Sequence, residues 1–533
     1  MNTIDIEKHI ITCSLIWLYS AIILFLGGWV QPWLAIPIAC LLVYCGIRCV
    51  SHLLPERSPI PFSSQIIQLL LFACMGFACS FFAGHTGHFP QHILDMAQRN
   101  AVYGNLYLQD WPIVLPDGRY LVYYFASFLP AAFASKLAGA DLAPVILMLW
   151  NALAYFLAFS LLYYHFRKGS TTWLCILALL VIGDPIILLS PISEYISHIF
   201  QIPVSLNSQG GPLVSGFICG PNHLPPVELL TVLILNKRIR HDSIPVLAAI
   251  APLFSAFASV GLLPFVVWRY LNTNSPREFC SRKRIYAAII IFFSSVEGYT
   301  ALLIAGISIL YYGCANGDLV TTLCFLVTYG KPMWYIILKN ILHVGLIVVI
   351  LSLPFWIRQQ KESGLLWAWL TSILITNLIF IGNGGPNELA FKGSTPFLII
   401  TSVWWVKRIS TSSMLHKIAL GMILFAFSWA SFSSIIIPRL ATFGKKDTHI
   451  NNPFNDHLYH PGTLLDQTVA PSKPAVLPHV LYATDGESRQ YFPFNLLPPE
   501  DEKLYQRPAT FRPDNKFLQR KPSNSDLKIK SIF

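Results

Sequence analysis

Charge is what this sequence has least of. Asp, Glu, Lys and Arg make up only 12% of its 533 residues, against 54% hydrophobic and 14% aromatic, and mean hydropathy is +0.55. That balance lies outside the range of soluble domains. The motifs of soluble nucleotide and hydrolase chemistry are missing too: there is no GxGxxG, P-loop, HExxH or GxSxG. The eleven cysteines contain no CxxC pair, and most (Cys13, Cys40, Cys45, Cys49, Cys74, Cys79, Cys175) lie singly in or beside apolar runs. This scatter argues against a zinc site or a disulfide framework and assigns the thiols to packing.

What is present is a series of apolar runs of spanning length, which predicts an all-α polytopic membrane protein. The first run, Ile10–Val30, follows Asp5, Glu7 and Lys8 and lacks a small-residue cleavage pattern, so it reads as a retained helix. The formal net charge of +11 comes from short basic clusters between apolar runs. Such clusters mark cytoplasmic loops, so membrane lipids, and not nucleic acid, are the expected partner.

Orienting the runs by their basic flanks places the N-terminus in the cytoplasm. Ile10–Val30, Pro32–Val50 and Ile66–Phe82 come first. An outer loop follows, whose last third, Tyr120–Leu137, reads as an interfacial helix, because counting it as a span would put Arg167 and Lys168 outside. Leu142–His165, Trp173–Leu189 and Leu224–Asn236 continue the bundle, the last short and starting with Pro225 and Pro226. Ile244–Val267 has basic residues on both flanks and reads as a helical hairpin turning near Ser255 to Gly261. Ile285–Tyr312, Met333–Ile357, Leu365–Ile381, Leu389–Val406 and Met414–Ile437 complete about eleven transmembrane helices plus the hairpin. The expected divisions are 1–83 (N-terminal helices), 84–140 (extracytoplasmic loop), 141–438 (transmembrane bundle) and 439–533, an extracytoplasmic tail with one strand at Ala475–Ala483. This describes a multi-pass protein of the inner (plasma) membrane. No internal repeat or inverted hydropathy symmetry points to a transporter.

The polar residues collect in a few places. The stretch His85–Leu137 holds His85, His88, His92, Asp95, Asp110 and Asp117. From His88 to Arg99 polar residues recur at helical spacing opposite Phe89, Ile93, Met96 and Ala97. This amphipathic helix either lies solvated on the membrane or turns Asp95 or His92 toward a cavity. Asp110 precedes Trp111-Pro112, where it is either a turn cap beside an interfacial anchor or a general base with its pKa raised by partial burial. Glu388 and Lys392 are four apart and either pair with each other or leave the lysine to bind a lipid-linked phosphate. Asn387 adjoins them. His223, after Asn222, either caps a helix or binds substrate. Glu297 and Asp184 are polar residues in apolar surroundings.

The segments HFPQHILDMAQRN, QDWPIVLPDG, YLVYYFASFLPAAFASKLAG, PNHLPP, FASVGLLPF and NELAFKGSTPFLI carry a resemblance. A span, a long outer loop with an early acidic amphipathic helix, a Tyr-rich helix and many further spans resemble the GT-C superfamily of integral-membrane glycosyltransferases. The segments are similar to those of large bacterial membrane proteins related to these enzymes, over most of Thr86 to Pro396. The resemblance implies transfer of a sugar from a polyprenyl-phosphate-linked donor to a cell-envelope acceptor at the extracytoplasmic face. A first-loop carboxylate, Asp110 or Asp95, would be the general base, with His92 beside it. Arg119 or Lys392 would stabilise the leaving lipid phosphate, and Asn222, His223, Asn387 and Glu388 would line the substrate site. Nothing in the sequence calls for a metal or another cofactor. His85 and His88 stand where such proteins often carry an acid, which moves the catalytic assignment to Asp95 or Asp110. Lys392-Gly393-Ser394-Thr395-Pro396 matches a basic-small-Ser-Pro pattern with one residue inserted. The alternative is a non-catalytic transporter, or a polysaccharide polymerase or ligase, of the same envelope pathway.

Overall fold

The computed structural model describes residues 5–55, 60–82, 94–113, 120–183, 222–271, 282–313, 320–323, 333–356, 363–382, 387–431 and 469–470. They are mostly helical. In the first half of the chain the helices are α1 (Ile6–Trp29), α2 (Pro32–Ser51), α3 (Phe62–Phe82), α4 (Leu94–Leu108), α5 (Leu129–Ala138), α6 (Ala143–Phe166), α7 (Gly169–Val181), α8 (Leu224–Leu235), α9 (Ile244–Phe254) and α10 (Ala256–Leu271). They are followed by α11 (Arg282–Ser294), α12 (Val296–Gly313), α13 (Met333–Trp356), α14 (Ser363–Leu378), α15 (Glu388–Gly393), α16 (Thr395–Thr411) and α17 (Met414–Ser431). Four short strands make two antiparallel pairs, β1 (Tyr120–Leu121) with β4 (Val469–Ala470) and β2 (Val320–Leu323) with β3 (Ile379–Gly382).

Among the described residues, six helical stretches are long and apolar enough to cross a membrane: α1, α2, Ser63–Phe82, Ala140–Phe166, α12 and Glu388–Thr411. Shorter apolar helices accompany them. Trp33, Ile36, Leu70, Ile309 and Phe425 are among the large apolar side chains turned outward, a surface suited to lipid and not to water.

Capping serines break one run that reads as continuous in the sequence and mark the turn expected near Ser255 in another. Ser295 interrupts 285–312: its Oγ accepts from the Gly298 amide at 3.0 Å and starts α12. A side chain at Gly298 would collide with the Phe292 carbonyl, so the chain turns sharply there. The expected single span is therefore the short α11 followed by α12. Ser255, extended between α9 and α10, accepts from the Ala258 amide at 3.3 Å in the same way. Pro225 and Pro226 occupy the first turn of α8, where no amide is needed.

The expected interfacial helix at 120–137 is built differently. It comprises β1, a 3-10 turn at Ala126–Phe128 and α5, which packs on α1, α4 and α6 with Leu129, Ala131, Ala132 and Ser135 buried. Tyr123 and Tyr124 are packed against Tyr311, Lys392 and His223. The strand expected at Ala475–Ala483, together with His85, His88, Asp117 and Asp184, lies outside the described residues.

One end of the bundle is held by charge. Glu7, 3% exposed, accepts from Arg167 (3.0 Å), Arg238 (3.4 Å) and Asn236 (3.2 Å). Arg238 also holds Asp5 through both terminal nitrogens (2.6 and 2.8 Å) and donates to the Leu54 carbonyl. Arg269, at the end of α10, donates to the carbonyls of Ile234, Asn236 and Ile239. Thus α10 returns to the end from which α9 starts. Arg48 and Glu297 pair at 3.3 Å between α2 and α12.

Candidate functional site

From this charged end α1 rises about 36 Å over 24 residues, whereas α8, which shares the end through Asn236, rises only about 18 Å over 12. The head of α8 therefore lies inside the bundle. Asn222 and His223 stand there, 0% and 5% exposed. His223 Nδ1 is 3.2 Å from the Phe254 carbonyl oxygen, at the end of α9. A carbonyl only accepts, so Nδ1 carries the hydrogen and Nε2 presents a lone pair.

The other wall comes from α15. Asn387 caps that helix, accepting from the amides of Leu389, Ala390 and Ile381 and donating to the Ile379 carbonyl, which ties β3 to α15. One turn later Lys392 reaches Glu388 at 2.5 Å and donates to the Tyr124 hydroxyl at 2.7 Å. Its ammonium lies 5.2 Å from the Tyr124 ring centre and 5.4 Å from that of Phe257 in α10, within cation–π range. The backbones approach closely here, since a side chain at Gly261 of α10 would collide with the Gly393 carbonyl.

Tyr124 joins the two walls. Its ring centre is 4.2 Å from that of His223 and 3.9 Å from that of Tyr123. The backbone of Tyr123 is fixed through both its amide and its carbonyl by the Tyr311 hydroxyl, each at 3.0 Å. Arg99 of α4, 2% exposed, is close enough to act electrostatically on both His223 and Lys392. Burial first, and then Lys392 and Arg99, hold His223 well below the ordinary histidine value. Burial pushes the Tyr124 phenol up against the opposing pull of Lys392.

Three of the residues singled out from sequence thus meet around Tyr124: His223, Glu388 and Lys392. Asn222 is buried next to His223 in the chain. Asn387 adjoins Glu388, but its side chain serves the backbone. Asp110 is placed elsewhere, beside Lys136 of α5. Lys136 donates to the Gln109 carbonyl and lies 5.7 Å from the Trp111 ring centre. Burial pushes Lys136 down to about 8, with Asp110 acting in the opposite direction. A row of rings, Trp111–Trp29–Phe125–Tyr311, connects this cluster to Tyr123. Asp95 lies on α4 without a described side chain, and His92 and Arg119 are outside the described residues.

Tyr124, Phe257 and Arg99 were not assigned to the site from sequence. The Tyr123-Tyr124 doublet carried a signal, but it reads equally as a membrane-boundary anchor. Among the described residues no group of three or more His, Cys, Asp or Glu could hold a metal ion. Comparison with family models, curated proteins and solved structures gives no match to this chain.

Proposed function

We propose that the protein is a membrane glycosyltransferase that moves a sugar from a polyprenyl-phosphate-linked donor to a cell-envelope acceptor. In this reading the chain crosses the membrane about eleven times in a GT-C-like arrangement, and the Lys392 pocket opens toward the extracytoplasmic side. The observation that carries it is the composition of that pocket. A buried ammonium and two aromatic faces meet beside His223, whose Nε2, like the Asn222 amide next to it in the chain, is unfilled among the described residues. An ammonium stabilises charge developing on a departing phosphate. Aromatic faces and amide groups suit the apolar and hydroxyl faces of a sugar.

The test is incubation of purified protein with labelled polyprenyl-phosphate sugars and envelope acceptors. Replacing Lys392 by Met should lower turnover by about 10²–10³-fold, the scale for losing one such donor. Transfer unchanged in Lys392→Met would reject the site.

One observation favours the transporter reading. Glu228 of α8 is 1% exposed, with neither carboxylate oxygen hydrogen-bonded among the described residues, and acts electrostatically on Cys79, Tyr155 and Cys175. Asn151 of α6 is likewise buried with its amide unfilled. Ionisable groups inside a membrane bundle often mark an ion path.

A further inference from the structure

The proposed transfer needs a group that takes the proton of the acceptor hydroxyl, and Asp110, the first-loop acid with a described side chain, is engaged elsewhere. Asp110 stands with Lys136 and Trp111, separated from the Lys392 pocket by the ring row. Glu388 is held against the Lys392 ammonium at 2.5 Å. His223 differs from both. Its Nδ1 is engaged by the Phe254 carbonyl, which fixes the ring and its tautomer. Its Nε2 is fully buried with no hydrogen-bond partner among the described residues. Beside it both amide atoms of Asn222 are also buried and unfilled. Buried polar atoms are normally satisfied, and three left unfilled among the described residues at the head of one helix are available to a ligand.

We infer that Nε2 of His223 is the general base that receives the proton of the acceptor hydroxyl, with Asn222 holding neighbouring hydroxyls through its amide. This rests on the glycosyl-transfer reading above. The Nε2 lone pair takes the proton as the acceptor oxygen forms its bond to the anomeric carbon. The bond from that carbon to the phosphate oxygen breaks, and its electron pair leaves on the phosphate beside the Lys392 ammonium. The resulting imidazolium returns its proton to water. The groups around the ring favour the neutral base. Lys392 and Arg99 oppose a second positive charge, Tyr124 covers one face, and the Phe254 carbonyl keeps the hydrogen on Nδ1.

The experiment measures transfer by the full-length protein from polyprenyl-phosphate sugars, comparing wild type with His223→Gln, His223→Gly, Asp95→Asn and Asp110→Asn. His223→Gln should lower kcat by about 10²–10⁴-fold, the range for a lost general base, while KM changes little. Wild-type kcat/KM should fall as pH drops through a value below the ordinary 6.5 of histidine, and the Gln variant should lack that limb. Added imidazole should restore turnover to His223→Gly, which a merely structural role would not permit. Unfolding temperature in detergent identifies a variant that has lost its fold, and imidazole rescue then decides the matter. Transfer by wild type with kcat retained in His223→Gln, or lost only in Asp95→Asn or Asp110→Asn, overturns this inference and leaves the glycosyltransferase reading standing. No transfer by wild type from any donor overturns both.

Discussion

Arg238 is the most connected side chain at the charged end, and its removal tests whether that end fastens the bundle. Arg238→Leu deletes two bonds to Asp5, one to Glu7 and one to the Leu54 carbonyl. The Asp5 side chain is 30% exposed and regains water, which makes its loss cheap. Glu7 is 3% exposed and does not, but it retains Arg167 and Asn236. The cost should therefore fall below the ~3–5 kcal/mol of stranding a buried charge outright. We expect about 2–3 kcal/mol, the upper part of the range for hydrogen bonds to charged groups. Equilibrium unfolding in mixed micelles measures it. A cycle with Glu7→Gln should give a coupling of about 1 kcal/mol or more, because the two residues share partners. The acid limb gives a second readout. The Arg238 bond holds the Asp5 carboxyl below its usual 3.8, so its stabilisation is present above the unfolded value and is lost as pH falls through the lower folded one. That limb should weaken in Arg238→Leu. A loss under about 0.5 kcal/mol, the size of an ordinary surface substitution, would refute the account of this end as a lock.

Two other expectations concern buried charge. Lys136 is pushed down to about 8 from 10.5. Between these values the unfolded chain binds more protons than the folded one, so stability rises with pH across that window, by up to about 1.4 kcal/mol per pH unit. The stability of wild type relative to Lys136→Met should therefore improve between pH 7 and pH 10 in unfolding measurements, and a flat difference would contradict the burial argument. Glu228→Leu removes an acid with no hydrogen bond among the described residues. If it is only structural, stability should rise by about 1–3 kcal/mol, the cost of an unsatisfied buried group, with sugar transfer retained. A folded Glu228→Leu protein without function would favour the transporter reading.

The sequence spoke clearly where chemistry was local. Apolar runs located most helices, proline marked the start of α8, and the spacing of Glu388 and Lys392 offered their pairing as one of two readings. The turn near Ser255 is legible from the basic flanks of its run, whereas the break at Ser295 follows from a capping hydroxyl that hydropathy windows average away. The pocket was legible only in part, because its joins span long separations. Lys392 and Tyr124 are 268 residues apart and His223 and Phe254 are 31 apart, and no periodicity encodes such meetings. The meeting of Asp110 with Lys136 is likewise not encoded locally, since Lys136 reads in sequence as the far end of the interfacial helix.

The close approach of Gly261 and Gly393 also bears on how this chain can diverge. Gly261 cannot gain a side chain without pushing α10 away from α15, and with it Phe257 away from Lys392, while one at Gly393 would press on Thr376 and the Phe257 carbonyl. Substitutions at the two codons are therefore not independent: a larger residue at Gly261 would be tolerated only in a lineage where the backbone around Gly393 had already moved. In a distant descendant that kept the pocket, this pair of glycines should outlast the apolar residues around them, which can exchange freely for others of similar volume.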